Sequence, residues 1–432
     1  MDYFLLILLV LLWAFIYTYN GKNILSPSLI ATSMFMLSTS LYVMGREYYG
    51  YMIHGKTVAV IIASLMALFI GENVSNCNYA PGIQSARLRG YSFENRSSIK
   101  VSASWCFVIF AFTVLTGAWC LKDAYEFSLK VGNTTGDYFK VAKFVREANQ
   151  SGGNITYDKG TILSQMSLLA ESLVFFLIYS FCHNLYLCKN KKPLYLLPIL
   201  GYFLQIFSAD NRIGLLKFLA MICVIVFSFM KHSTGWKAGN NKKIIVIGVV
   251  VIVIFLALFR WLGYRTDAST RSDANDNFTE YMSASIVGLD VYLTKGEEHN
   301  ILFGQDTFNN IYNILRQWGF DIPKTETFEE FFNYAQGVSN IYTGIKVFIN
   351  DFTLIGGLIA IAIYGYVVAS QINKIKCGRI GFTHMWLTGH LFYPIVMFSI
   401  ANVMRAILAI PTLYMLLYTM VINWFFTGKK KV

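Results

Sequence analysis

Between two apolar runs, Leu194–Phe207 and Ile213–Met230, the chain reads FSADNRIGLLKFL. Asp210, Asn211 and Arg212 crowd that gap, and in lipid such groups are costly unless they line a wet or protein-enclosed cavity. A guanidinium keeps its charge and offers a fork of donors that fits phosphate oxygens, so Arg212 is a candidate anion clamp. Asp210, two residues away, is either a base or the partner that orients it. Arg260 closes the apolar run IIVIGVVVIVIFLALFR, Arg405 opens the last one, and Arg265, Arg271 and Arg316 lie on the same side of the chain's path. Several of these converging would suit a lipid diphosphate, and snorkelling to headgroups is the alternative use of each. Glu171, inside QMSLLAESLVFF, is an intramembrane carboxylate. It can serve as a general base, orient a hydroxyl, or bond to a neighbouring helix. Asp290 and His299 are further base candidates, with a solvated loop histidine the plain alternative for His299. His390 reads as a packing histidine.

The elements that must position these groups are transmembrane helices. The chain has 432 residues, 55% hydrophobic and 14% charged, where a soluble protein carries about a quarter charged. Apolar runs long enough to span recur throughout. We place eleven spans at about 3–19, 25–44, 57–74, 102–121, 161–182, 194–209, 213–230, 244–263, 351–371, 383–400 and 403–426. Helices are expected because each satisfies its own backbone in lipid. The first run, YFLLILLVLLWAFIYTY, reads as a retained helix, since it lacks a basic leader and a cleavage site. The fold class is all-α, a single integral membrane domain.

The short loops CKNKKP, KHSTGWKAGNNKK and NKIKCGR and the tail GKKKV all fall on one side of an eleven-span chain. The positive-inside bias makes that side cytoplasmic, with the N-terminus outside. The net charge of +12 then belongs to membrane lipid headgroups and not to nucleic acid. Seven scattered cysteines suggest neither a disulfide framework nor a zinc cluster.

Two long segments, 122–160 and 264–350, then face outward with the Arg212 gap. In the first, Tyr138, Val141, Ala142, Val145 and Ala148 follow helical spacing, which predicts a helix on the membrane surface. The second is too long for a mere connection. It holds the apolar periodic stretches NFTEYMSASIVGLDVYL and DTFNNIYNILRQWGF, a turn, FDIPKT, and an aromatic cluster, FEEFFNYAQ, and two or three short helices capping the bundle are expected. No P-loop, Rossmann fingerprint or HExxH occurs, and no Asp-x-Asp or Glu-x-Asp pair lies in an outer loop.

At residues 339–357 the chain reads SNIYTGIKVFINDFTLIGG. This resembles the close of the large periplasmic loop in Wzy-type O-antigen and oligosaccharide repeat-unit polymerases. There, Asn-x-Tyr-Thr leads into an Asp-Phe-Gly-like segment and a Gly-rich span. Here Thr353 stands where that segment has glycine. FGQDTFNNIYNILRQWG resembles the family's Gly…Thr-Phe segment, and FSADNRIGLLKF its arginine-bearing junction. The pair of Arg-x10-Gly motifs described for some members is absent, so their roles are not carried over.

The resemblance implies a GT-C-like polymerase or ligase architecture and a metal-independent, cofactor-free glycosyl transferase of the bacterial inner membrane. Its substrates would be undecaprenyl-diphosphate-linked oligosaccharides, and it would work beside a chain-length regulator and a flippase. The diphosphate would meet Arg212, with Arg260, Arg265 and Arg405 as further binders. The base would come from Glu171, Asp210, Asp290 or His299. Asn340, Tyr342 and Asp351 would hydrogen-bond sugar hydroxyls, although Tyr342 also suits an interfacial aromatic belt. Three other classes compete: an O-antigen ligase of similar topology, a lipid-linked oligosaccharide transporter, and a non-catalytic assembly scaffold. Ser339 stands where ligases tend to show histidine, and no paired halves of the transporter kind are visible.

Overall fold

A computed structural model describes residues 1–88, 97–134, 136–137, 141, 144–145, 148, 157–208, 212–236, 241–250, 253, 257, 274–296, 300–323, 329–401 and 403–428, with backbone alone at 87–88, 212, 274–279 and 405. It is an all-α polytopic membrane helix bundle. Eight of its described helices are long and apolar enough to cross a bilayer. The chain forms two compact units, one of residues 1–89, 275–379 and 390–412, the other of 90–274, 380–389 and 413–432.

The first unit opens with α1 (Asp2–Tyr19), α2 (Pro27–Met44) and α3 (Gly55–Leu88). Ser26 caps α2 by accepting from the Leu29 amide, and Pro27 fills the first helical position, where no backbone donor is missed. Mid-way along α3, Glu72 ties this corner together. Its carboxylate accepts from Asn20 Nδ2 (3.1 Å), Ser26 Oγ (2.8 Å), and the Ser28 amide (3.1 Å) and hydroxyl (2.5 Å). A buried carboxylate is tolerable when donors saturate it, and these come from the α1–α2 turn.

The second unit contains α4 (Ala103–Lys130), α5 (Thr161–Leu187), α6 (Pro198–Ser208) and α7 (Arg212–Ser233), with a further helical stretch at 241–250. The apolar helix predicted from Val141 and Val145 packs on the extension of α4. Both valines are buried against Ala124, Tyr125, Phe127 and Tyr157. Tyr138 and Ala142 lie outside the described residues.

After α7 come α8 (Ala274–Lys295), α9 (Asn309–Gln317), β1 (Phe332–Tyr334), β2 (Gly337–Ser339), α10 (Gly344–Lys376), α11 (Phe382–Met397) and α12 (Ile410–Thr427). Among its described residues the segment 264–350 thus holds one long helix, one short helix and an antiparallel hairpin with Phe332 opposite Ser339. The aromatic cluster FEEFFNYAQ supplies β1 of that hairpin. Its alternating burial is the period of two that a strand imposes. Three helices also outrun their apolar cores: α3 extends to residue 88, α4 to 130, and α10 begins at 344.

Each unit is built around one close helix crossing. In the first, residues 68, 75 and 82 of α3 face 365, 370–373 and 377 of α10, so the two helices run parallel. A methyl group added at Gly71 would lie 1.8 Å from the Ala362 carbonyl oxygen, and one at Gly365 would lie 2.5 Å from that of Leu68. Ser75 then bonds Ser370 (3.0 Å) and Asn373 (3.1 Å). In the second unit, Gly117 of α4 and Gly201 of α6 meet the same way, with added methyls 2.9 Å from Gly201 O and 2.4 Å from Thr113 Oγ1. Between membrane helices, small residues of this kind let backbones approach and give dispersion its range.

Gly71→Ala should therefore cost on the order of 1–3 kcal/mol through overpacking against a backbone atom. Gly248→Ala, which meets nothing within 4 Å, should be neutral. Melting temperatures in detergent check the pair, and equal loss or no loss at both sites would refute the close crossing.

Candidate functional site

The N-terminus of α1, the end of α2 and the start of α3 share one end of the first unit. The connection GREYYGYMIH, residues 45–54, runs across it. Two buried carboxylates hold that connection. Asp2 accepts from the Ile53 amide at 3.1 Å and pairs with Arg46 Nε at 3.2 Å. Asp290 of α8 accepts from the His54 amide at 2.7 Å and lies 2.7 Å from His54 Nδ1. Asp290 is 0% exposed and the His54 side chain 60%. Tyr51 adds a hydrogen bond to Asp290. Burial first, and then the Asp290 charge, raise the Tyr51 phenol above its ordinary range, so it stays a neutral donor. A carboxylate can only accept. The bond therefore takes the proton on Nδ1 and leaves Nε2 on the ring edge away from Asp290, in a side chain that is largely exposed.

α8 carries this rim into the hairpin. Tyr334 donates to Glu280 (2.6 Å), and the Ala335 amide bonds the Tyr49 carbonyl (3.0 Å). Burial, and then the bond to Glu280, push the Tyr334 phenol well above its usual range. Beyond the hairpin, Lys346 lies 3.5 Å over the Tyr342 ring and 2.5 Å from Glu329. Tyr342 itself is buried and donates to the Glu330 carbonyl (3.1 Å), so ring and hydroxyl are both engaged within the protein. Asn340 is half-buried at the exit of β2.

Next comes a break in α10. Thr353 has φ 64° and ψ 175°, between helical arms whose backbones approach at Gly357 and Phe348. That conformation is essentially reserved for glycine, and holding another residue there costs about 1–3 kcal/mol. So the glycine-type turn is formed although a β-branched residue occupies it. What holds it is Asp351. Its carboxylate accepts from the amides of Asp306 and Thr307 (both 2.8 Å) and from Asn300 Nδ2 (2.7 Å). Its carbonyl accepts from Gly304 (3.3 Å), and Phe352 packs edge-on against Phe303. Expected to meet a sugar hydroxyl, Asp351 instead commits its carboxylate to fastening loop 300–307 onto the break.

In the second unit, Glu171 of α5 pairs with Lys217 of α7 at 3.1 Å, and the Tyr202 hydroxyl also reaches it. Lys217 is the lysine of the stretch FSADNRIGLLKFL. Arg212 opens α7 and Arg405 lies in the short helical turn Met404–Ile407, each described by its backbone alone. Asp210, Arg260, Arg265, Arg271 and His299 fall outside the described residues. Arg316 is tied to its own neighbourhood through the Ile322 carbonyl and Asn313. His390 contacts Thr412 at 3.2 Å, the packing role expected of it. Among the described residues no three His, Cys, Asp or Glu side chains converge.

The structure thus brings Asp290 to a histidine that the sequence reading passed over. His54 and Arg46 sit in a ten-residue connector that looked like a mere link. The available signal was an arginine and a histidine closing on the start of an apolar helix, among three tyrosines.

No known protein family, curated protein or solved structure matches the chain.

Thr353→Gly should stabilise the protein by about 1–3 kcal/mol by removing strain at φ 64°. Asp351→Ala should loosen loop 300–307 and speed its cleavage by protease, because two buried amides lose their acceptor. Thermal melts and limited proteolysis check both; a destabilised T353G would mean the threonine conformation is not strained.

Proposed function

We propose that the chain is a polymerase of undecaprenyl-diphosphate-linked oligosaccharides, acting at the periplasmic face of the bacterial inner membrane. In this reading the hydroxyl of an incoming lipid-linked repeat unit attacks the reducing-end anomeric carbon of the growing glycan. Undecaprenyl diphosphate leaves. The N-terminus is periplasmic and the C-terminus cytoplasmic.

The observation that carries the proposal is the path from Asn340 to Thr353. The family-like Asn-x-Tyr-Thr and Asp-Phe-x stretches follow one another into a broken membrane helix, and the third position adopts the conformation its family counterpart, glycine, prefers. Irregular backbone at membrane depth is tolerated where it is enclosed by protein or lines a cavity, and here loop 300–307 is fastened onto it. The topology has its own support. Parallel α3 and α10 require an odd number of crossings between them. The apolar runs read from the sequence at 102–121, 161–182, 194–209, 213–230 and 244–263 make five.

The leaving diphosphate needs cations where its charge develops. Arg212 is the first candidate, with Arg260, Arg265 and Arg405 behind it. Glu171, already paired with Lys217, fits an orienting or structural role better than that of a free base. An O-antigen ligase or an oligosaccharide transporter would share the bundle but give different products.

Purified protein with undecaprenyl-diphosphate-linked repeat units should yield a ladder of multimers on a gel, and the ladder should survive EDTA. Arg212→Ala should lower the rate about 10²–10³-fold, the usual consequence of losing one charge-stabilising donor. A ladder lost with EDTA would discard the arginine-only mechanism. A single addition onto lipid A core would indicate the ligase, and flipping without transfer in proteoliposomes the transporter. Alkaline phosphatase fused to the C-terminus should be inactive in cells; an active fusion would invert the topology.

A further inference from the structure

We infer that His54 is the general base of the transfer, with Asp290 as its positioning residue; this deepens, and rests on, the polymerase reading. The geometry is that of an oriented imidazole. One Asp290 oxygen takes the His54 main-chain amide at 2.7 Å, and the other takes Nδ1 at 2.7 Å. The ring is therefore anchored at two points and has one tautomer. Nε2 lies on the exposed edge, free of the bond that fixes the ring. An orienting role calls for a carboxylate shielded from water, and Asp290 is 0% exposed. Burying a carboxylate is expensive. Were holding the start of α3 its whole purpose, a neutral serine or asparagine would do the work at less cost.

A cation is held on the same connector as the base. Ile53 and His54 offer consecutive amides, the first to Asp2 and the second to Asp290. Asp2 in turn holds Arg46, whose side chain is 42% exposed. Base and guanidinium are thus fixed by neighbouring backbone groups at the mouth of α3. Displacement of a diphosphate by a hydroxyl asks for both kinds of group.

In the step, the acceptor O–H bond breaks and its proton passes to Nε2. The oxygen's electron pair forms the new bond to the anomeric carbon. The bond from that carbon to the diphosphate oxygen breaks, and its pair departs with undecaprenyl diphosphate. Asp290 steadies the imidazolium, which then returns its proton to solvent.

The test uses full-length protein in detergent or proteoliposomes with undecaprenyl-diphosphate-linked repeat units. His54→Ala should lower kcat about 10²–10⁴-fold, the range of general-base catalysis, while melting as the wild type does. Added imidazole should restore part of the rate to H54A and leave the wild type unchanged. Asp290→Asn should lower kcat with KM held, because ring orientation is lost and substrate contact is not. An H54A rate within threefold of wild type overturns the assignment, and so does a loss that imidazole does not touch. Wild-type protein that makes no polymer at all removes the polymerase reading and this inference with it, a result distinct from an active wild type with an active H54A.

Discussion

The meeting of α3 and α10 at Gly71 and Gly365 is the contact on which the first unit depends. Helices in a bilayer gain little from hiding apolar surface, because lipid is as apolar as leucine; they gain by fitting closely. With a carbonyl oxygen where a methyl group would need to be, no larger residue can hold this pair together. The crossing fixes α3 beside the main arm of α10. It thereby fixes both the start of α3, where His54 is placed, and the break at Thr353 that begins that arm. The second unit repeats the device with Gly117 and Gly201.

From that frame the rim follows as a set of buried carboxylates, each accepting from a donor on another segment. Asp2 and Asp290 hold the 45–54 connector, Glu280 the hairpin, and Asp351 the 300–307 loop. Short segments between the long helices are thus pinned by charge-assisted hydrogen bonds, which are stronger and more directional than neutral ones. The pinning is tight enough to keep Thr353 in a glycine conformation.

The bundle was readable from the sequence because lipid leaves a chain few options: apolar runs of the right length must be helices. The buried pair Val141 and Val145 was readable for a similar reason, since helical periodicity is local. What escaped was non-local or outside the apolar pattern. Nothing in GREYYGYMIH announces that His54 meets an aspartate 236 residues later, and nothing in KFLAM announces that Lys217 meets Glu171. The polar extension of α3 carries no apolar stripe to mark it, and the aromatics of FFNYAQ were read as a cluster and not as the alternation of a strand. Asp351 was recognised as important, but as a donor-acceptor for substrate. Only its surroundings show that its oxygens are taken.

The sequence distance between the two partners of the α3 crossing has a bearing on how the protein is made. Residue 365 leaves the ribosome roughly 300 residues after residue 71, which at about 5–20 residues per second is a wait of some 15–60 s. Through that interval Ser75 and the glycine face of α3 lie in the membrane without α10. Glu72 is provided for sooner, since Asn20, Ser26 and Ser28 have already been synthesised when it emerges. The first three long helices can therefore close on themselves as a nascent hairpin-plus-one, with the Glu72 position sheltered and the small-residue groove still vacant, until α10 arrives to occupy it.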